Sequence, residues 1–198
     1  MKTPFSLVVC AWAFAGCALT NYTMVKPYTS GREVGSTTPM TKSVVWKKLE
    51  LKPTLRNEPE AVAVKKNGYG MDTAYVFTNP KPQEWLTQAA KVEFQSVGLD
   101  MAGNGADDPS ISIVVDQFFA EPDVSVWGAD MTAVTVLDVT VNLPKQGKTF
   151  QRRFVGEDNS FEMVWPDSDF DVRLLKCAQL AFHEAAQETR KLIDGEGI

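Results

Sequence analysis

The chain has 198 residues, 44% of them hydrophobic and 23% charged, the make-up of one globular domain rather than of a disordered or membrane-embedded chain. Its 20 basic and 25 acidic residues leave a net charge of −5, and no Lys/Arg cluster forms the basic stripe that a phosphate backbone requires, so nucleic-acid binding is excluded. The one long apolar stretch, Phe5 to Ala15, falls well short of the roughly 20 residues of a transmembrane helix.

That stretch follows Met1-Lys2 and ends in small residues, the layout of a secretory signal, so residues 1–16 are expected to be removed. Two cleavage sites are open. Ala13-Phe14-Ala15 fits an ordinary small-x-small site, whereas Phe14-Ala15-Gly16-Cys17 resembles the lipobox of bacterial lipoproteins. The second is the working expectation, with the Cys17 thiol converted to a diacylglycerol thioether and the new amino terminus acylated. Each buried acyl carbon contributes about 0.8 kcal/mol, so several chains hold a protein firmly where one does not. Ala18, rather than Asp, resembles the pattern sorted to the outer membrane. Cys10 leaves with the signal and Cys17 takes lipid, which leaves Cys177 without a disulfide partner; after ordinary cleavage, Cys17 and Cys177 could instead pair.

Residues 17–43 are rich in Thr, Ser, Gly and Pro without an apolar period and are expected to form a lipidated tether. The alternative is an irregular arm packed on the domain through Tyr22, Val25 and Tyr28. The periplasmic domain is then 44–198. A first strand runs from Val44 to Leu51 before Pro53, a second covers Ala61–Val64 and a third Thr73–Phe77, with Asn67-Gly68-Tyr69-Gly70 as the turn between the last two. Tyr69 in that turn is a candidate interaction residue.

Asn79-Pro80-Lys81-Pro82 opens a helix that reaches about Val97 and stops at Gly98. At about 100° per residue, Trp85, Ala89 and Val92 share one face, flanked by Leu86, Ala90 and Val97. Glu93 falls about 80° from Trp85, inside this apolar arc. A buried acid needs partners, so Glu93 either reaches water at the margin or pairs with a base such as Arg152 or Arg153; it is the second candidate interaction residue.

Three strands follow. Ile111, Ile113, Val115 and Phe119 alternate with Ser112, Asp116 and Ala120, and Met131 to Leu143 alternates apolar with Thr132, Asp138, Thr140 and Asn142. A turn at Lys145-Gln146-Gly147-Lys148 leads to Thr149–Val155. The last helix, about Asp169 to Leu192, carries Leu174, Cys177, Ala178, Ala181, Ala185 and Leu192 on one stripe, small residues that suit close packing on a sheet. The expected fold is a single α+β domain in the order βββ-α-βββ-α, a largely antiparallel sheet with two helices on one face.

Catalytic and metal-binding patterns are lacking. The single His183 lies about 180° round the helix from Leu174 and is expected in water, so neither a Ser–His–Asp nor a His-rich zinc set can be assembled. Asp167-x-Asp169-x-Asp171 copies three calcium-ligand positions, but Val172 and Ala178 stand where Gly and Glu are needed. Those acids, with Ser168, are expected to cap the last helix. Gly147-Lys148-Thr149 is a hairpin turn, not a phosphate loop. No enzymatic activity, cofactor or metal is expected.

The lipobox, Val64-x-x-Asn67-Gly68-Tyr69-Gly70-Met71-x-Thr73, Glu84-Trp85-Leu86 and Glu93-Phe94 with Gly98 together resemble uncharacterised Gram-negative lipoproteins of the YajG type over roughly residues 44–192. The resemblance implies an outer-membrane lipoprotein facing the periplasm, of unassigned molecular function, with no catalytic residue to carry over. The expected role is a non-enzymatic accessory or binding module acting on another envelope protein or on glycan. A subunit of a transport or outer-membrane assembly complex is the alternative, and a periplasmic hydrolase a third.

Overall fold

The computed structural model describes residues 19–31, 42–163 and 166–195. The frame is a meander of three long strands, β7 (Ser110–Ser125), β8 (Gly128–Leu143) and β9 (Lys148–Glu162), antiparallel throughout. A 3-10 turn, Pro144–Gln146, links the last two, closed by Gly147 at φ 62°, a left-handed geometry that favours glycine. The free edge of β7 is shared: β3 (Val45–Leu51) runs parallel to its first half and β4 (Ala63–Lys66) parallel to its second. Beyond β4 lie β5 (Asp72–Thr78), antiparallel to it, and β1 (Tyr22–Met24), parallel to β5, giving seven strands in all. Two short strands, β2 (Lys42–Ser43) and β6 (Leu99–Asp100), pair separately.

The α+β expectation therefore holds, with parallel joints added to a mostly antiparallel sheet. Two helices, α1 (Pro82–Ser96) and α2 (Asp167–Asp194), cover one face. Trp85 of α1 stacks on Phe118, Cys177 of α2 touches Thr135 at 3.1 Å, and Phe118 and Thr135 are register partners. The expected stripe Leu174, Cys177, Ala178, Ala181, Ala185 and Leu192 is wholly buried. Its small residues bring α2 so near the sheet that a Cβ on Gly156 would lie 2.0 Å from the Cys177 carbonyl oxygen.

Several expectations need correction. The alternation assigned to β7 fails at Asp116, where the register shifts between Val115 and Gln117. This bulge puts one extra residue in the strand and reverses the side that follows. Phe118 and Ala120 thus join the helix-side core, while Phe119 turns to the other face. On α1, Phe94 is buried and Val92 is exposed. The cap of α2 is Pro166 without a side-chain bond; Asp167 and Asp169 supply first-turn charge, and Asp167 pairs with Lys65 at 2.7 Å.

The tether expectation is replaced over 19–31 by the packed arm. Tyr22–Met24 is a strand of the sheet, Met24 and Tyr28 are buried, and only Val25 of the three expected contacts stays exposed. The Asn79 amide donates to the Met24 carbonyl (2.8 Å), and Gln179 Nε2 to the Thr29 carbonyl (2.6 Å). The Tyr22 hydroxyl donates to Asp171 (2.9 Å); burial and this carboxylate push its pKa up to about 12.

Gly156→Ala should lower stability by about 3 kcal/mol, because the methyl meets backbone rather than a yielding side chain. Urea denaturation checks this, and a change below about 0.5 kcal/mol would show the helix able to ride outward.

Candidate functional site

A buried polar cluster lies where the arm, α1 and α2 meet. Glu93 is 1% exposed. Its Oε1 accepts from the Tyr28 hydroxyl at 2.8 Å and its Oε2 lies 3.1 Å from His183 Nδ1. The opposite ring nitrogen, His183 Nε2, is 2.8 Å from Gln187 Nε2. Of the two expected outcomes for Glu93 the second occurs, with a different base: it is not marginal, and it pairs with His183 rather than with an arginine. Arg152 is exposed, and Arg153 sits across the sheet with Asp116.

His183 is likewise displaced from its expected place in water. The helical angle from Leu174 does not describe its surroundings, because α2 packs on two sides: Cys177 and Ala181 meet the sheet at Gly156, whereas His183 turns toward Glu93 of α1. Tyr28 completes the set by packing edge-on to Trp85 at 5.4 Å, whose indole N–H donates to the Lys26 carbonyl at 2.9 Å. Burial first, and the Glu93 charge second, push the Tyr28 phenol far above its ordinary range, so it donates as a neutral hydroxyl.

A cleft of about 700 Å³ opens over this cluster, with Glu93, Gln179, His183 and Gln187 in its wall and Ser30 and Gly31 at its rim. A carboxylate and an imidazole in one cleft are materials for general acid–base chemistry. Here both carboxylate oxygens and both ring nitrogens already hold protein partners, and among the described residues no serine or cysteine is hydrogen-bonded to the imidazole. The arrangement is a clasp: one buried acid ties the arm to both helices.

A second ionic cluster fastens β9 to α2. Asp158 is buried and pairs with Arg173 at 2.7 Å and with Lys176. Burial alone would raise its carboxyl, but the hydrogen bonds and charges of Lys176 and Arg173 outweigh it and hold the group below the usual range. Cys177, one helical step away, is fully buried and its thiol is pushed up to about 12, chiefly by burial. On the uncovered face of the sheet, Asp116 at the β7 bulge pairs with Lys52 (2.7 Å) and Arg153.

Tyr69, the turn candidate, is 90% exposed. Asn67 Oδ1 accepts from the Tyr69 and Met71 amides at 2.9 and 3.1 Å, and Gly70 at φ 76° completes the turn, as expected of Asn-Gly chemistry. Cys17 lies outside the described residues. Val126, Trp127 and Met163, absent from the sequence-derived candidates, are 93%, 81% and 77% exposed. The signal was present in Val126-Trp127-Gly128, an apolar pair at a hairpin turn where polar residues are usual.

No family model matches the chain, and no curated protein does. Among solved structures, an uncharacterized protein superposes with a TM-score of 0.50 at 12% identity, covering 89% of this chain and 97% of that one. A Xanthomonas campestris protein of the DUF330 family gives 0.49 at 13% identity, covering 89% and 96%. The rare lipoprotein B from Shewanella oneidensis gives 0.42 at 12% identity, covering 75% and 95%. The first likeness shows the fold; the other two superpose more loosely and add nothing to it.

Glu93→Ala should cost about 3 kcal/mol, since it strands the Tyr28 hydroxyl and the imidazole, whereas Tyr28→Phe should cost about 1 kcal/mol. Equal and negligible losses in urea denaturation would contradict the clasp. Asp158→Asn should cost about 2 kcal/mol at neutral pH. A carboxyl lowered by folding stabilises above its unfolded value and loses that contribution as pH falls through the lowered folded one. The gap in stability between wild type and Asp158→Asn should therefore close below about pH 4. A gap constant down to pH 2.5 would contradict this pairing.

Proposed function

We propose that the chain is a lipid-anchored lipoprotein of the cell envelope, held to the outer membrane through Cys17 and facing the periplasm. Its role is that of a non-enzymatic accessory or binding module of the YajG type. The observation that carries the non-enzymatic reading is the full engagement of Glu93 and His183 by Tyr28 and Gln187. A hydrolase would need one of these groups free to take a proton from a nucleophile.

The partner-facing surface in this reading is the sheet side away from the helices. There Lys66 pairs with Glu121, and Gln117, Phe119, Thr132 and Val134 line a shallow depression of about 350 Å³. Exposed ion pairs around an apolar floor suit an envelope protein or glycan.

The second reading, a subunit of a transport or assembly complex, draws support from β9. Among the described residues its outer edge has no strand partner along Lys148–Glu162. A long unpaired edge is a template for adding a strand from another chain.

Two measurements test the proposal. Thiol titration of the mature protein should find no reactive thiol in the folded state and one, Cys177, after denaturation; a reactive thiol in the folded chain would mean an unmodified Cys17. Crosslinking of the lipidated protein in native membranes, from a photo-reactive residue at Val134, should yield a defined adduct. A Val134 probe that captures nothing would remove the sheet face from the account.

A further inference from the structure

Among the described residues the four most exposed large apolar side chains, Tyr69, Val126, Trp127 and Met163, stand at one end of the sheet, whereas Val25, Val92, Val155 and Leu180 are exposed singly elsewhere. β4 and β7 run in parallel, Ala63 opposite Ala120, so the turn after β4 and the hairpin after β7 project from the same end. The first presents Tyr69 and Met71, the second Val126 and Trp127, and Met163 follows β9, whose Glu162 lies opposite Ala129 beside that hairpin. The opposite end carries Lys145 at the β8–β9 turn instead.

The arm begins at this end too. β1 runs parallel to β5, which starts next to the Tyr69 turn. The buried Lys65 ammonium donates to the Thr20 carbonyl at 2.9 Å and pairs with Asp167, the first residue of α2, at 2.7 Å. Thr20 is thereby pinned where β9 passes into α2, with Leu19 exposed beside it.

We propose that this end of the domain sits in the surface of the bilayer, with Tyr69, Met71, Val126, Trp127 and Met163 entering the lipid interface. The proposal rests on the lipid at Cys17. Cys17 is two residues before Leu19, and two residues of fully extended chain span only about 7 Å. An acyl anchor on so short a lead holds the Leu19 end against the membrane, and aromatic and apolar loop tips suit that boundary. The exposed acids at this end, Asp72, Asp123 and Asp130, indicate insertion by apolar surface rather than by attraction to anionic headgroups. The docked arm, not a long tether, sets the orientation, and it leaves the sheet face and the β9 edge open to the periplasm.

The test uses the full lipidated protein in vesicles of phosphatidylethanolamine and phosphatidylglycerol, with an environment-sensitive fluorophore on Val126→Cys or, at the far end, on Lys145→Cys. Cys177 is buried, and the wild-type protein serves as the labelling control. The Val126 probe should shift to the blue and lose most of its emission to nitroxide-labelled lipid, and the Lys145 probe should do neither. The contrast should persist when phosphatidylglycerol is replaced by neutral lipid.

If the protein carries its acyl mass and floats with the vesicles while the Val126 probe stays in water, the orientation is wrong and the lipoprotein reading stands. Quenching at both ends, or capture of a protein rather than lipid by a photo-reactive group at Val126 in native membranes, also overturns it. A mature chain without acyl mass overturns the anchor itself, and the orientation with it.

Discussion

A carboxylate removed from water must be met by hydrogen-bond donors, and in this fold that requirement falls on Glu93. It can be met only if the arm lies across α1, so that Tyr28 reaches Oε1, and if α2 approaches from the other side, so that His183 reaches Oε2. One acid therefore specifies the relative position of three segments that are distant in sequence. An apolar residue there would fill the space without demanding any particular partner. The Tyr28–Trp85–Phe118 aromatic contacts continue the same constraint down to the sheet.

From the clasp outward, the architecture divides the labour between two faces and two ends. The helix-covered face is closed by contact between small residues: Gly156 admits the backbone of α2, and Asp158 holds it there through Arg173 and Lys176. The other face keeps a layer of ion pairs around the bulge at Asp116 and stays in water. Because the arm is docked, it begins at the end carrying Trp127 and Tyr69. In the proposed orientation the anchor and the apolar tips act on one surface, which leaves the sheet face exposed.

Much of the fold was legible in sequence, for identifiable reasons. The strict alternation from Met131 to Leu143, the Asn67–Gly70 turn and the small-residue stripe of α2 are local patterns, and they match the structure. The errors came where local pattern meets tertiary placement. Asp116 gives no local sign of a bulge, so simple alternation puts Phe119 and Ala120 on the wrong sides of β7. A helix packed on two sides has no single outward direction, so the angle from one stripe points His183 to water when it meets Glu93 instead. The pairing of β1 with β5 depends on residues more than fifty positions away, and a Thr/Ser/Gly/Pro-rich stretch carries no periodicity to reveal it. Glu93 was singled out correctly as an acid in need of partners. Its partners lay beyond the reach of helical geometry, because one comes from the arm and the other from the far helix.

The central claim is that residues 19–31 belong to the folded domain through the Glu93 clasp. Amide hydrogen exchange of the mature protein, resolved over residues 22–28, tests it most directly. The account predicts protection comparable to that of β5, with which the arm pairs. Exchange of this segment at the rate of free chain, while α1 and α2 remain protected, would contradict it.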